Sequence, residues 1–168
     1  MTIILYPTDT IYGLGCPIND KNAVKKVFAI KKRDFSMPLS VAFLDIKQML
    51  NYVDVNEKQL SFIKENWNRG TTFIVRKKNS IPNIITANSE NVGARIPDHD
   101  EIRKLTKKFG PIITTSANVS GKPAPVRFEE LDKEIVEKAD LVIRGECPLK
   151  KASVIYDLTK EPYEIIRY

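Results

Sequence analysis

Apolar and polar positions along the chain alternate between short extended runs and helical stripes. Residues 2–6 form an unbroken apolar-rich run stopped by Pro7 and the polar Thr8-Asp9-Thr10, which predicts a buried first strand feeding a loop. After Gly13 and Gly15, Asn19 or Asp20 is placed to cap a helix. Its Ala23, Val24, Val27 and Phe28 recur at helical spacing, while Lys21, Lys25 and Lys26 face water. That helix is expected to end near Lys31-Lys32-Arg33.

Pro38 releases the chain into an apolar run over 39–44. Asp45 then caps a helix carrying Ile46, Met49, Leu50 and Val53, and a further helix carries Leu60, Ile63 and Trp67. Strands are predicted over 71–75 and 92–96, a helix from Asp98 with Ile102, Leu105 and Phe109 ended by Gly110-Pro111, and a strand over 111–115. The remainder reads as a helix around Leu131, Ile135, Val136 and Ala139, then strands over 141–143, 153–158 and 164–167. Strands alternate with helices and two strands close the chain, so the expected class is α/β with a mixed sheet: parallel strands need helical crossovers, and the closing pair suits antiparallel pairing.

No linker or repeat divides the 168 residues, so one domain over 1–168 is expected. With 42% hydrophobic and 29% charged residues, disordered and fibrous classes are excluded. No signal-peptide pattern or membrane-length apolar run is present, which places the expected protein in the cytoplasm with no membrane partner. Cys16 and Cys147 are far apart and outside any Cys-x-x-Cys pair, so two buried thiols are expected rather than a disulfide or a zinc site. Lys plus Arg outnumber Asp plus Glu by 27 to 21, a net +6 that suits a polyanionic substrate or partner and equally a solvated surface.

Familiar catalytic patterns fail. Gly13-Leu-Gly15 has Ile18 where a dinucleotide fingerprint needs its third glycine, and Gly121-Lys122 lacks both the first glycine and the hydroxyl of a phosphate-binding loop. The single histidine, His99, reads as a surface or helix-capping residue, and without a Gly-x-Ser-x-Gly elbow no hydrolase triad is built. No acid or histidine cluster has metal-ligand spacing, so no protein-caged metal is expected, while Mg²⁺ carried by a nucleotide needs few protein ligands. Two i, i+2 pairs remain. Lys31 and Arg33, in an extended segment, would point one way as a clamp for phosphate or carboxylate, or would be a solvated basic helix end. Ser116 and Asn118 beyond a strand end would hold a ligand, or would bond their own turn.

The ordered segments Tyr6-Pro-Thr-Asp-Thr-Ile-Tyr-Gly-Leu-Gly15, Lys31-Lys-Arg33, Pro38-Leu39, Gly93-Ala-Arg-Ile-Pro-Asp-His99, Thr115-Ser-Ala-Asn-Val-Ser-Gly121, Ser153-Val-Ile-Tyr-Asp157 and Ile165-Ile-Arg167 resemble the YrdC/TsaC family of threonylcarbamoyl-AMP synthases. The resemblance covers nearly the whole chain. It implies a twisted, open, mixed sheet flanked by helices, with a concave basic surface. It also implies a nucleotidyltransferase, an L-threonylcarbamoyladenylate synthase, joining L-threonine, bicarbonate and ATP, with Mg²⁺ on the ATP, into threonylcarbamoyl-AMP and pyrophosphate. That product is the donor for t⁶A at position 37 of tRNA. By the same resemblance Lys31 and Arg33 are the catalytic cations, and Lys31, Arg33, Asn91, Ser116, Asn118 and Arg167 hold ATP. Thr10, Arg95, Thr114 and Ser153 correspond to the L-threonine pocket, Arg95 facing the amino-acid carboxylate. Implied partners are tRNA or structured RNA on the basic concave face and the proteins that transfer the t⁶A group.

The chain departs from the family pattern at Trp67-Asn-Arg-Gly70 in place of Trp-Pro-Gly-Pro, at Ala42 where many members have histidine, and at Ala124 and Val126 in place of Ser-Pro-Thr. It resembles the short, single-domain form. Two other readings stand beside the synthase: an RNA-binding module using Lys25, Lys26, Lys32, Arg103, Lys104, Lys107 and Lys108 for phosphate contacts, and a carbamoyl transferase like those of hydrogenase maturation. On the synthase reading, Lys31→Ala or Arg33→Ala is expected to abolish activity and leave the fold intact, both residues lying on a solvent-facing loop.

Overall fold

A computed structural model describes residues 2–168. Its strands are β1 (Ile4–Tyr6), β2 (Gly13–Gly15), β3 (Ser40–Ala42), β4 (Val53–Asp54), β5 (Thr71–Lys77), β6 (Asn91–Arg95), β7 (Ile112–Ser116), β8 (Leu141–Val142), β9 (Val154–Asp157) and β10 (Glu164–Arg167). The helices are α1 (Lys21–Lys31), α2 (Ile46–Leu50), α3 (Glu57–Asn66), α4 (Asp100–Phe109) and α5 (Lys133–Lys138). All ten strands join one sheet in the order β10-β9-β5-β6-β3-β7-β2-β1-β8, with β4 also on β5. Parallel pairs β5·β9, β3·β6 and β1·β8 are mixed with antiparallel ones, as the alternation of elements required.

Period-2 alternation divides the sheet into two unlike faces. Leu5, Val41, Phe73, Val75, Ala94 and Ile113 point into the main core, where they meet Val24, Val27 and Phe28 of α1, Met49 of α2, Ile63 of α3 and Ile135 of α5. Their neighbours Ile4, Tyr6, Ala42 and Ile112 point the other way, onto Ile102 and Leu105 of α4. The packed helix of this second cluster is α4, and the second face beyond it carries small polar residues.

Helix ends follow local chemistry. Asp20 caps α1 by accepting from Ala23 N at 2.9 Å, and Asn56 with Gln59 closes a capping box on α3. The start expected at Asp98 is one residue later: His99 is the N-cap of α4, and Asp98 instead pairs with Arg103 at 2.7 Å. Val53, expected on a helix, leaves α2 and pairs with Lys77 as β4. The helix expected around 131–139 is the shorter α5, which starts after its cap Asp132 because Leu131 adopts extended backbone following a 3₁₀ turn, Phe128–Glu130.

Strand β2 was not legible as a strand. Its glycines serve close packing rather than a nucleotide loop: a Cβ on Gly15 would lie 1.8 Å from Ile113 O, and one on Gly13 would lie 2.7 Å from the Tyr6 ring. Tyr6 is fully buried, and its hydroxyl donates to Ile113 O at 3.0 Å, crossing the gap these glycines leave. Both cysteines are buried and free, and burial pushes the Cys16 thiol up to about 12.

Candidate active site

The bare part of the second face floors a cavity of about 360 Å³. Register sets its rows. Thr114, Ser40, Gly93 and Ile74 lie side by side across β7, β3, β6 and β5. A parallel row runs from Ala42 through Arg95, Thr72 and Ile155 to Arg167. Gly93 is required here because a Cβ would lie 2.5 Å from Ser40 Oγ and 3.3 Å from Thr72 Cγ2. Arg33, Arg95 and Arg167 line the cavity, and no Asp or Glu does. Such a site attracts anions, since each guanidinium presents several donors in a geometry matched to carboxylate and phosphate.

Each arginine is aimed by neighbours. Arg167 donates from Nε to Ser153 O at 3.0 Å and from Nη2 to Ser153 Oγ at 2.8 Å, and Ser153 Oγ lies 2.9 Å from Thr72 Oγ1. Desolvation and the like charge of Arg95 lower the pKa of Arg167. Arg33 donates to Met37 O at 3.2 Å and Pro38 O at 2.8 Å, which fixes it at the rim. Arg95 is buried and paired with Asp9, and it donates to Thr10 Oγ1 at 2.6 Å.

The expected Lys31–Arg33 clamp is not formed by extended alternation. Lys31 is the last residue of α1, and Lys32 takes a left-handed cap conformation with φ 49°. Lys32 N reaches Ala29 O and Arg33 N reaches Phe28 O, a paired closure that turns the chain sharply. Lys31 is therefore buried at 1% exposure rather than on a solvent-facing loop. Its ammonium lies beneath the Ser116–Asn118 turn, donating to Ser116 O at 2.5 Å, Asn118 O at 2.8 Å and Asn118 Oδ1 at 3.0 Å. Burial first, and the charge of Arg33 second, push its pKa down to about 8.

Of the other expected residues, Ser116, Thr114 and Ser153 line the cavity. Thr10 is fully buried behind the lining, touching it through Arg95. Asn118 is committed to its own turn: Oδ1 accepts from Lys31 and Ser116, and Nδ2 donates to Lys122 O. Asn91 begins β6 on the same strand face as Gly93 and Arg95 but outside the cavity lining. Ala124, at one departure from the family pattern, lines the cavity. Asp9, Ser40 and Thr72 were not singled out from the sequence. Asp9 meets Arg95 across 86 residues, and a single chain carries no signal for such a pairing.

A mixed α/β sheet that packs one face on helices and floors a carboxylate-free, three-arginine cavity with the other defines a protein built to bind anionic small substrates. The chain belongs to the Sua5/YciO/YrdC family, whose model, described as "Telomere recombination", matches residues 2–168. It is 37% identical over 166 residues to a Methanocaldococcus jannaschii protein that bears threonylcarbamoyl-AMP synthase as a provisional name, covering 98% of this chain and 78% of that one. It is 31% identical over 168 residues to the threonylcarbamoyl-AMP synthase of Pyrococcus abyssi, spanning 49% of that protein's length. Among solved structures it resembles P. abyssi Sua5 complexed with L-threonine, with a TM-score of 0.89 and 30% identity over 99% of this chain and 50% of that one. E. coli YciO superposes with a TM-score of 0.89 at 26% identity, over 99% of this chain and 82% of that one.

Proposed function

We propose that this chain is an L-threonylcarbamoyladenylate synthase, a nucleotidyltransferase that makes threonylcarbamoyl-AMP and pyrophosphate from L-threonine, bicarbonate and ATP for t⁶A modification of tRNA. The observation that carries the reading is the cavity lined by Arg33, Arg95 and Arg167 without a carboxylate, in a chain matched by this family over residues 2–168. Named relatives support the activity, and the L-threonine complex of P. abyssi Sua5 supports the amino acid.

On this reading the amine of threonine takes up bicarbonate with loss of water, or CO₂ with loss of a proton, to form a carbamate, and a carbamate oxygen attacks the α-phosphorus of ATP with pyrophosphate leaving. The chain's contribution is orientation and charge. Binding both substrates in one site supplies up to about 7–11 kcal/mol by proximity, and fixed cations offset charge developing on the phosphoryl oxygens. Arg33 and Arg167 face the phosphates, Arg95 with Thr10 and Thr114 takes the amino acid, and Lys31 shapes the Ser116–Asn118 turn from below. Mg²⁺ is held by the ATP phosphates, because the cavity offers it no carboxylate and no metal-holding group of three or more His, Cys, Asp or Glu occurs among the described residues. Binding of tRNA to the basic face and delivery of the product to t⁶A transferase proteins, in the cytoplasm, complete the proposal.

The test is pyrophosphate release from ATP with Mg²⁺ and bicarbonate, comparing L-threonine, L-serine and no amino acid. Threonine-dependent release with a threonylcarbamoyl-adenylate product by mass is expected. Folded protein that binds RNA but releases no pyrophosphate would refute the reading in favour of an RNA-binding module.

A further inference from the structure

Asp9 lies outside the cavity lining but pairs with Arg95, which belongs to it. Asp9 is 4% and Arg95 6% exposed. Both hydrogens of Arg95 Nη2 are spent, one on Asp9 Oδ1 and one on Thr10 Oγ1. Thr8 Oγ1 donates its single proton to Ile11 O at 2.7 Å and accepts the N–H groups of Thr10 and Ile11. The hydroxyls of Thr8 and Thr10 lie 3.0 Å apart, so Thr8, Thr10 and Arg95 form one connected chain.

Arg95 Nε and Asp9 Oδ2 are buried without a partner, and Nη1 makes no protein hydrogen bond among the described residues. Buried polar groups left unpaired are costly, so an arrangement of this kind is built to be completed by a ligand. Of the three cavity arginines, Arg95 alone has a carboxylate partner among the described residues.

We propose that Asp9 is a positioning residue of the amino-acid end of the site. Acting through Arg95, it holds the guanidinium by one nitrogen and leaves Nε and Nη1 for the substrate carboxylate. The inference rests on the synthase reading above and adds a residue to it.

Asp9→Asn keeps the side-chain shape and one acceptor oxygen but removes the charge. Its KM for L-threonine is expected to rise at least tenfold, while its KM for ATP stays level or falls, because one more cation is left uncompensated. A merely structural Asp9 would instead raise both KM values together and lower Tm. That result, or a folded Asp9→Asn protein with both KM values unchanged, overturns the proposal. If the wild type releases no pyrophosphate, the synthase reading fails and calorimetric titration of L-threonine decides this one. Weaker binding to Asp9→Asn than to wild type supports it, and equal binding, or none to the wild type, overturns it.

Discussion

Replacing Lys31 by methionine separates a strut from a substrate ligand. The buried ammonium holds three acceptors, Ser116 O, Asn118 O and Asn118 Oδ1, and removing it leaves them short of a donor at about 1–3 kcal/mol each. Against that stands the relief of a buried charge: the fall of the Lys31 pKa from 10.5 to about 8, at about 1.4 kcal/mol per pH unit, corresponds to about 3 kcal/mol. The lost hydrogen bonds outweigh the relief, so Lys31→Met is expected to destabilise the fold by about 2–3 kcal/mol, about 5–10 °C in Tm for a chain of this size. The ATP KM is expected to rise at least tenfold as the Ser116–Asn118 turn loosens. The sign of the pH effect follows from the folded pKa lying below the unfolded one. Between about pH 8 and 10.5 the unfolded chain binds more protons at this group, so wild-type stability gains about 3 kcal/mol as pH rises through that window and loses it as pH falls to 8. Lys31→Met should lack this increment. Urea denaturation of both proteins at pH 8 and pH 10, with ATP kinetics at pH 8, measures all three quantities. A methionine variant that keeps its Tm and its pH slope yet loses turnover would show Lys31 acting on the substrate directly and would refute the strut.

Gly15→Ala places a methyl 1.8 Å from Ile113 O and is expected to cost about 3 kcal/mol or more in chemical denaturation, whereas Gly121→Ala meets open space and costs about 1 kcal/mol for its φ of +87°. Ser153→Ala removes the side-chain acceptor of Arg167 and leaves only Ser153 O to anchor it, so its KM for ATP should rise about tenfold and more than its KM for L-threonine; the reverse order in steady-state kinetics would assign Ser153 to the amino acid. Inorganic pyrophosphate at 100 times its Kd should stabilise the wild type by about 2.7 kcal/mol in a thermal-shift assay. The shift should shrink as salt rises from about 0.05 to 0.5 M, since screening weakens attraction to the three arginines.

The sequence pattern carried most of the sheet. Long-period elements such as α1 and α4, and strands with unbroken apolar runs such as β7, announce themselves through residues that are neighbours in the chain. What escaped was set by residues distant in sequence. β2 has two glycines in three positions and no strand propensity, and it exists because β1 and β7 pair with it on either side. β4 is two residues held by the end of β5. The site shows the same division. Arg33, Arg95, Ser116, Ser153 and Arg167 were recognisable by motif and do line the cavity. The helix ends at Lys31 as its basic run suggested, but the orientation of Lys31 was misread because a non-glycine residue, Lys32, takes the left-handed cap that usually marks a glycine and replaces the expected extended alternation with a sharp turn. Asp9 lay within the Tyr6–Gly15 segment that carries the family resemblance, but its pairing is visible only once Arg95 is brought across the sheet.

The unequal coverage of the two sheet faces links stability to function. The first face buries the long aliphatic and aromatic side chains under α1, α2, α3 and α5, and that burial is where the favourable free energy of folding lies. The second face needs only α4 over β1, β3 and the start of β7. Its remainder can then be given to Gly93, Ser40, Thr72 and Thr114, residues too small to contribute much to a core but shaped to let a substrate approach the backbone. That floor carries an electrostatic cost: burial first and the like charge of Arg95 second lower the pKa of Arg167, and burial lowers that of Arg33. The core on the opposite face tolerates that cost, and anionic substrates relieve it when they bind. The repulsion among the cations therefore favours the binding of anions in this cavity.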